Sequence, residues 1–339
     1  MEIAVSDPGI DFMFTMMTPL PSERPEDPTY IEARMRIIGE IVESSPVPVF
    51  LSSNTCLDVA PYPRGLLADN GLCLLPGVDL AMTSIGHMLR WIDRRDALLA
   101  RPVRSVLPRP GPVDTPLGAW AEDEGRRLLE DSGVPVVPAR LVTSPTQAAD
   151  AAAYFGVPVA MKICSRQVAH KSDVGGVRLN VSGAEAAAAA YQRIVSAVRE
   201  NVPGAEVRGV LVSPMRGPGH ELLVGVTADP VFGPVLAVGL GGIWVEILKD
   251  TSLRVLPVDA SDVRDMLEDL QGLPLLKGAR GGEAVDLDAL SDVILGIGTV
   301  AASLGDSLDT LEVNPLRVSA GRIEALDVLV TTSDPENRR

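Results

Sequence analysis

A proline-rich stretch limits the possible folds of this 339-residue chain more than any other feature. Five prolines fall within residues 101–116: Pro102, Pro108, Pro110, Pro112 and Pro116. Because proline fixes φ and lacks a backbone N–H, neither a helix nor a central strand runs through such a stretch, and its composition is typical of a stiff linker. The sequence therefore predicts two units, residues 1–100 and 118–339, joined by a linker over residues 101–117.

Composition and charge exclude several classes of protein. Hydrophobic residues make up 46% of the chain and charged residues 22%, as in globular proteins. The formal net charge of −15 makes the surface repel nucleic acid and anionic lipid. No stretch reaches the roughly 18 apolar residues of a membrane span, and the N-terminus lacks the pattern of a signal peptide. We expect neither nucleic acid nor a membrane as a partner.

The cysteines indicate a reducing compartment. The chain has only three, Cys56, Cys73 and Cys164. They are too few and too scattered for a disulfide framework or a metal site. We therefore expect a cytoplasmic protein.

The first unit alternates apolar runs with amphipathic stretches. The pattern predicts strands over residues 12–17 and 47–52, and helices over 30–44 and 82–99. This order is typical of a parallel α/β sheet. Such sheets usually have five or more strands, yet only two or three are predicted here. The unit therefore looks like part of a domain.

The second unit lacks regular alternation, so we expect an α+β domain. The predicted helices span residues 116–132 and 146–155, and a further helix starts at the capping box Ser182-Gly-Ala-Glu185. The predicted strands lie near Val136 and Leu141 and over residues 157–162, 208–214, 221–227 and 234–240. Residues 309–318 and 323–330, separated by a turn, predict a hairpin.

Two segments early in the second unit carry possible anion-binding residues. Lys162 ends an apolar strand, where burial is costly unless a carboxylate or another anion meets it; the alternative is an ammonium group that reaches solvent. His170-Lys-Ser-Asp-Val-Gly-Gly-Val177 joins a histidine, a second lysine and a glycine pair. Glycines allow close approach of backbone amides to phosphate, although a plain surface turn would also explain them.

Two later segments are also candidates. Gly239-Leu-Gly-Gly-Ile-Trp-Val-Glu246 follows an apolar strand but lacks the spacing of the dinucleotide fingerprint, so a tight hairpin is the alternative. On the terminal hairpin, Glu312 and Asn314 are two residues apart and so face the same side of a strand, and Asp327 returns on the neighbouring strand. Oxygen ligands of this kind hold Mg²⁺ beside phosphates.

Taken in order, these segments resemble the ATP-grasp part of the NDP-forming acyl-CoA synthetases, the family of ADP-forming acetyl-CoA synthetase. The resemblance covers about residues 118–330. Its matching stretches are residues 157–177, 212–215 with 221–226, 229–234, 239–250, 278–282 and 312–315. Residues 1–100 also resemble the end of the flavodoxin-like ligase domain that precedes the ATP-grasp part in fused members, with Asp7-Pro-Gly-Ile-Asp11 and Met17-Thr-Pro-Leu20 as the match.

The resemblance implies a role for each matching residue. His170 would carry a phosphoryl group on a mobile loop, and Glu312 would orient the phosphohistidine. Asn314 and Asp327 would coordinate Mg²⁺. Residues 212–215 would form the hinge beside adenine. The implied contacts to ATP or ADP are Lys162, Lys171, Gly175, Gly176, Val212, Ser213, Met215, Glu221, Gly241, Gly242 and Glu246.

The chain departs from the family pattern in one important respect. It contains no glycine-rich CoA-binding unit and no stretch for a second phosphorylated histidine. The resemblance therefore implies an acid–CoA ligase (ADP-forming) that needs a CoA-binding, α-type subunit or self-association. Two alternatives are a non-catalytic ATP-binding regulatory module or truncated remnant, and an ATP-grasp carboxylate ligase that uses an acyl phosphate. His170 argues against the latter, because an acyl-phosphate mechanism has no use for it.

Overall fold

The computed structural model describes residues 1–54, 58–100, 115–168, 170–241, 250–281, 283–319 and 321–334. The chain divides into two compact units, which we call the N-terminal unit (residues 1–105) and the C-terminal unit (residues 106–339). Most of the predicted linker lies outside the described residues. None of the described helices is long and apolar enough to cross a membrane.

The N-terminal unit contains a three-stranded parallel sheet, as predicted. Its elements are α1 (Glu2–Val5), β1 (Met13–Met17), α2 (Thr29–Ser44), β2 (Val49–Ser53), α3 (Pro61–Asp69), β3 (Leu74–Leu75) and α4 (Val78–Ala100), with strand order β1-β2-β3. Met35 and Leu51 pack in its core. Helix α3 was not predicted because it is short and proline-rich, but its prolines stand at Pro61 and Pro63, in the first turn, where no N–H is needed.

The C-terminal unit contains two antiparallel sheets. The smaller has four strands, β5 (Arg140–Val142), β6 (Val159–Cys164), β7 (Val177–Val181) and β8 (Gly209–Pro214), in the order β5-β8-β6-β7. Helices α6 (Pro145–Phe155) and α7 (Ala184–Asn201) cover it through a shared apolar core. Small side chains such as Ala148 and Ala190 are completely buried there, which lets the two helices approach the sheet closely.

The predicted capping box at Ser182 is wrong. The N-cap of α7 is Gly183, which adopts a φ of 87°, and no side chain caps the helix. Because the helix begins at Ala184, Glu185 stands at the second helical position, one residue short of the place that a capping box requires.

The larger sheet is built from the remaining strands, β4 (Gly118–Ala119), β9 (His220–Asp229), β10 (Gly233–Leu240), β11 (Thr251–Val255), β12 (Leu308–Ser319), β13 (Arg322–Ala325) and β14 (Val328–Thr332). Its order is β11-β10-β9-β12-β14-β4, and β13 also pairs with β12. Four helices share an apolar core with this sheet: α5 (Glu122–Asp131), α8 (Ala260–Glu268), α9 (Leu273–Leu276) and α10 (Leu287–Ser303). The predicted antiparallel strands and the terminal hairpin are confirmed.

Two predicted elements differ from the structure. The helix predicted over residues 116–132 starts only at Glu122, because the preceding residues pair with β14: the Trp120 amide donates to the Val330 carbonyl at 2.9 Å, and Trp120 Nε1 donates to Thr332 Oγ1 at 3.0 Å. The strand predicted near Val136 is a single bridge to Ala325.

Alternation of side chains along the strands builds the core of the larger sheet. Leu222, Val224 and Val226 of β9 are completely buried, two residues apart along one face. Leu290, Ile294 and Ile297 of α10 belong to the same core, at the spacing of one helical face.

Candidate functional site

Lys162 of β6 lies against the loop between β13 and β14. Its Nζ donates to the Leu326 carbonyl and to Asp327 Oδ2, both at 2.9 Å. The Lys162 side chain is only 13% exposed. The lysine therefore meets a carboxylate within the C-terminal unit, and the alternative of an ammonium group in solvent is wrong.

Lys171 reaches the same carboxylate from the loop that follows β6. Its Nζ lies 2.9 Å from Asp327 Oδ1 and 3.0 Å from Glu122 Oε2. The Glu122 side chain is 2% exposed and also lies 3.7 Å from Arg126 Nη1. The structure thus brings together Lys162, Lys171 and Asp327, which the sequence had singled out, with Glu122, which it had not.

Sequence reasoning missed Glu122 because acidic residues in the first turn of a helix are ordinarily explained by the helix dipole. The only available signal was the run Glu122-Asp123-Glu124, three carboxylates at the start of α5. All three form ion pairs with basic residues that come much later in the chain.

Burial and charge set the ionisation of this cluster. Burial together with the negative charge of Asp327 raises the pKa of Glu122. Burial opposes ionisation of Asp327 and Lys171 as well, but at each residue the attraction of oppositely charged neighbours is stronger than this effect. The two lysines hold the pKa of Asp327 below its usual value, and the two carboxylates hold the pKa of Lys171 above its usual value.

The loop between β6 and β7 carries His170, which is exposed to solvent. A turn closes this loop: the Gly176 amide donates to the Lys171 carbonyl at 2.7 Å, and Gly175 adopts a φ of 70°. A Cβ on Gly176 would lie 2.7 Å from Ile163 Cγ2 and 2.9 Å from the Lys171 carbonyl oxygen. The glycine pair is therefore required by the turn that places Lys171, whatever else it binds.

The other end of this loop is tied to the same helix. Arg166 Nε donates to Glu124 Oε2 at 3.0 Å, and Arg208 Nη2 lies 3.0 Å from Asp123 Oδ2. Burial alone would raise the pKa of Glu124, but hydrogen bonds from Arg166, the Ala121 amide and Arg208 lower it to about 2. Arg166 and Lys171 thus each pair with a carboxylate of α5, Glu124 and Glu122 respectively, and His170 lies between them in the chain. Arg208, which precedes β8, pairs with the carboxylate between these two, that of Asp123.

The terminal hairpin places the predicted metal ligands side by side. The Asn314 amide donates to the Asp327 carbonyl at 3.3 Å, and Asn314 Nδ2 donates to Glu312 Oε1 at 3.1 Å. The Asn314 side-chain oxygen and the Asp327 carboxylate are hard donors suited to Mg²⁺, which needs only one or two protein ligands when phosphate supplies the rest. Among the described residues, no group of three or more His, Cys, Asp or Glu could hold a metal ion by itself.

The remaining predicted nucleotide contacts fall in two places. Val212 and Ser213 lie on β8, paired with Met161 and Ala160 of the strand that carries Lys162, and the Met215 amide donates to the Pro158 carbonyl at 2.8 Å.

The second place is the start of β9, where Gly241 and Glu221 meet. The Gly241 amide donates to the Glu221 carbonyl at 2.5 Å, and Glu221 Oε1 accepts from Arg317 Nη1 at 2.7 Å. A Cβ on Gly241 would lie 2.8 Å from that carbonyl oxygen. Gly242 and Glu246 lie outside the described residues.

Comparison with known proteins identifies the class to which this fold and site belong. Residues 116–332 match the model of the ATP-grasp domain, which is most of the chain. The chain belongs to the ATP-grasp family.

Curated relatives define the group within that family, the ADP-forming CoA ligases predicted from the sequence. The chain is 39% identical over 200 residues to the acetate–CoA ligase (ADP-forming) II subunit beta of Pyrococcus furiosus, a match that covers 59% of this chain and 85% of the relative. It is 38% identical over 195 residues to the acetate–CoA ligase (ADP-forming) I of Archaeoglobus fulgidus, of which it spans 28% while 58% of this chain is covered.

A third relative matches a longer part of the chain. A trans-feruloyl-CoA synthase from an unknown prokaryotic organism is 34% identical over 262 residues, which is 77% of this chain and 36% of the relative. This alignment is longer than the whole C-terminal unit, residues 106–339, so it includes part of the N-terminal unit.

Solved structures of an acetyl-coenzyme A synthetase share the fold of this chain. An acetyl-coenzyme A synthetase 1 of Ca. Korarchaeum cryptofilum, in complex with coenzyme A and Ca-AMPCP, aligns with a TM-score of 0.60 and 35% identity, covering 63% of this chain and 93% of that chain. Another structure of that enzyme, with Mg-AMPPCP and its phosphohistidine segment pointing towards the nucleotide binding site, aligns with a TM-score of 0.54 and 32% identity, over 63% of this chain and 93% of that one.

Proposed function

We propose that the chain is the nucleotide-binding and phosphoryl-transfer part of an ADP-forming acyl-CoA synthetase. The whole reaction would be acid + ATP + CoA ⇌ acyl-CoA + ADP + Pi. The convergence of Lys162 with Lys171, the residue that follows His170 in the chain, carries this proposal. Two partly buried ammonium groups directed at one point suit the phosphates of ATP, and relatives from Pyrococcus furiosus and Archaeoglobus fulgidus that share this part of the chain are named as ADP-forming CoA ligases.

His170 would accept the phosphoryl group. A P–N bond forms at an imidazole nitrogen as the bond from the γ-phosphorus to the leaving oxygen of ADP breaks. A neutral imidazole is nucleophilic near pH 7, so no strong base is needed. Phosphoryl transfer otherwise depends on positioning and charge neutralisation, which Lys162 and Lys171 supply. Glu312 would accept a hydrogen bond from the other ring nitrogen and orient the phosphohistidine.

Asn314 and Asp327 would hold Mg²⁺, which supplies neutralisation of phosphate charge when bound. The adenine would lie beside residues 212–215, where β8 ends next to the strand of Lys162. Glu221 and Gly241, which contact each other, would complete the nucleotide pocket.

The CoA half of the reaction would come from a CoA-binding α-type subunit. The relatives from Pyrococcus furiosus are themselves named as β subunits. Among the described residues, β1 and β3 of the N-terminal unit each pair on one side only, and parallel sheets are normally covered. We expect a cytoplasmic complex or self-association. A strictly monomeric chain in light scattering at micromolar concentration, with no partner recovered from its host, would contradict this.

Phosphate labelling tests the role of His170. Incubation with Mg-ATP and a CoA-binding subunit should label the chain with an acid-labile, base-stable phosphate, because a P–N bond hydrolyses once the ring nitrogen is protonated. His170→Asn should abolish the label while leaving nucleotide affinity nearly unchanged, since the lysines hold the phosphates. His87→Asn, at another exposed histidine, is the matched control and should label normally. Equal labelling of wild type and His170→Asn would favour the regulatory-module alternative.

A further inference from the structure

Asp327 has both carboxylate oxygens occupied by the lysines of the proposed nucleotide site. Oδ2 lies 2.9 Å from Lys162 Nζ, and Oδ1 lies 2.9 Å from Lys171 Nζ. Oδ1 also accepts a hydrogen bond from the Val328 amide at 2.9 Å. One carboxylate therefore forms an ion pair with both ammonium groups.

These contacts conflict with the roles that the three side chains need when nucleotide is bound. Phosphate oxygens require the ammonium groups, and a divalent cation requires the carboxylate oxygens. A carboxylate that bridges two lysines is a poor metal ligand, and a lysine that is already paired binds phosphate less strongly. Either the pairs persist and weaken both interactions, or they exchange.

We propose that Asp327 is an exchangeable counter-ion. It forms ion pairs with Lys162 and Lys171 when no nucleotide is bound. When its carboxylate binds Mg²⁺, these pairs break and the two ammonium groups bind the nucleotide phosphates. This inference rests on the proposed function and adds to it a coupling between metal and nucleotide. The coupling arises in the protein and comes in addition to the direct contact of Mg²⁺ with phosphate.

Glu122 is the partner that stays with Lys171. Its side chain is 2% exposed, whereas that of Asp327 is 27% exposed. Glu122 also faces Arg126 at 3.7 Å, inside the protein. Breaking a buried ion pair leaves an uncompensated charge and is costly, so the pair between Lys171 and Glu122 should survive nucleotide binding. Only the more accessible carboxylate is free to change partners.

Binding of ADP, measured by calorimetry in EDTA and in Mg²⁺, tests the exchange. Asp327→Asn keeps the shape of the side chain but removes its charge, so both lysines lose their counter-ion. We expect this variant to bind ADP in EDTA about tenfold more tightly than wild type, and the gain in affinity from Mg²⁺ to fall about tenfold or more. A residue that served only as a metal ligand would leave the affinity in EDTA unchanged.

Glu122→Gln is the matched control, because it removes one negative charge from the same lysine. Since Glu122 keeps its partner in both states, its loss should change the affinities in EDTA and in Mg²⁺ by the same factor and leave their ratio unchanged. The quantity to compare is the affinity for ADP in Mg²⁺ divided by the affinity in EDTA. If Asp327→Asn and Glu122→Gln reduce this ratio equally, local charge alone explains the coupling and the exchange is overturned.

Further outcomes keep the inference separate from the proposed function. Tighter binding in EDTA by both Asp327→Asn and Asp327→Ala supports the exchange, and the second variant serves if the first does not fold. Weaker or unchanged binding in EDTA, in a folded variant of a chain that binds Mg-ADP, overturns the exchange but leaves the proposed function standing. A wild-type chain that binds ADP in neither condition overturns both.

Discussion

Lys171 Nζ lies 2.9 Å from Asp327 Oδ1, although 156 residues separate the two in the chain. Lys162, on a strand of the smaller sheet, reaches the other oxygen of the same carboxylate. The pairs join the smaller sheet and its loop to the larger sheet of the C-terminal unit. The position of the loop that carries His170 thus depends on a residue near the end of the chain.

Asn314 offers a test of the metal site that is independent of the lysines. Asn314→Ala should weaken binding of Mg-ADP about tenfold, equivalent to about 1.4 kcal/mol, because a hard oxygen ligand is lost. The affinity for ADP in EDTA should not change, since Asn314 contacts Glu312 and the backbone of Asp327 rather than the lysines. Calorimetry that finds wild-type affinity in both conditions would remove Asn314 from the metal site.

Gly176 tests the turn that places Lys171. A Cβ at this position would lie 2.7 Å from Ile163 Cγ2, closer than van der Waals contact permits. We expect Gly176→Ala to lower the free energy of unfolding by about 1–3 kcal/mol, through overpacking. Gly217→Ala, where a Cβ would meet nothing within 4 Å, is the control. Urea denaturation compares the variants, and equal stability would mean that the turn adjusts without cost.

Glu124 should make the stability of the C-terminal unit depend on pH. Its pKa is about 2 in the folded chain against an ordinary value of 4.5, so the unfolded chain binds the proton first as the pH falls. The stabilisation is complete above pH 4.5 and is lost between pH 4.5 and about 2. Glu124→Gln should therefore destabilise the protein at pH 7, and by less at pH 3.

Denaturation at the two pH values measures this difference. Glu130→Gln, at an exposed position of the same helix, should have little effect at either pH. A loss of stability in Glu124→Gln that is the same at both pH values would show that the carboxylate acts through packing rather than charge.

Cys164 should be unreactive in the folded chain. Burial, together with the carboxylate of Asp123, raises the pKa of its thiol to about 12, and Sγ donates to Asp123 Oδ1 at 3.1 Å. Thiolate is the nucleophile, so a thiol reagent at pH 8 should not modify it. Cys73→Ser, at an exposed position, should remove one equivalent of labelling, while Cys164→Ser should remove one only in denaturant. Loss of native labelling in Cys164→Ser would contradict this.

Much of the fold follows from local patterns in the sequence. The parallel sheet of the N-terminal unit, the three strands near residues 208–240 and the terminal hairpin were all predicted from apolar runs and turns. Each of these signals is confined to neighbouring residues, because side-chain alternation and turn chemistry act over a few positions. The prediction fails where tertiary contacts override it, as at Trp120, which bonds to β14 instead of starting a helix.

Most residues of the candidate site were likewise predictable from the sequence, but the contacts between them were not. The motifs that contain Lys162, Lys171 and Asn314, taken in order, resemble those of a known family, and this resemblance predicts an ATP-grasp protein. Nothing local assigns Lys171 to Asp327, or Glu122 to Lys171, because ion pairs across the fold depend on strand order and on which side chains are buried together. By itself the sequence determined the elements and the chemical groups. Only the tertiary structure decided which charges meet, since electrostatic pairing acts through space and is strong only where water is excluded.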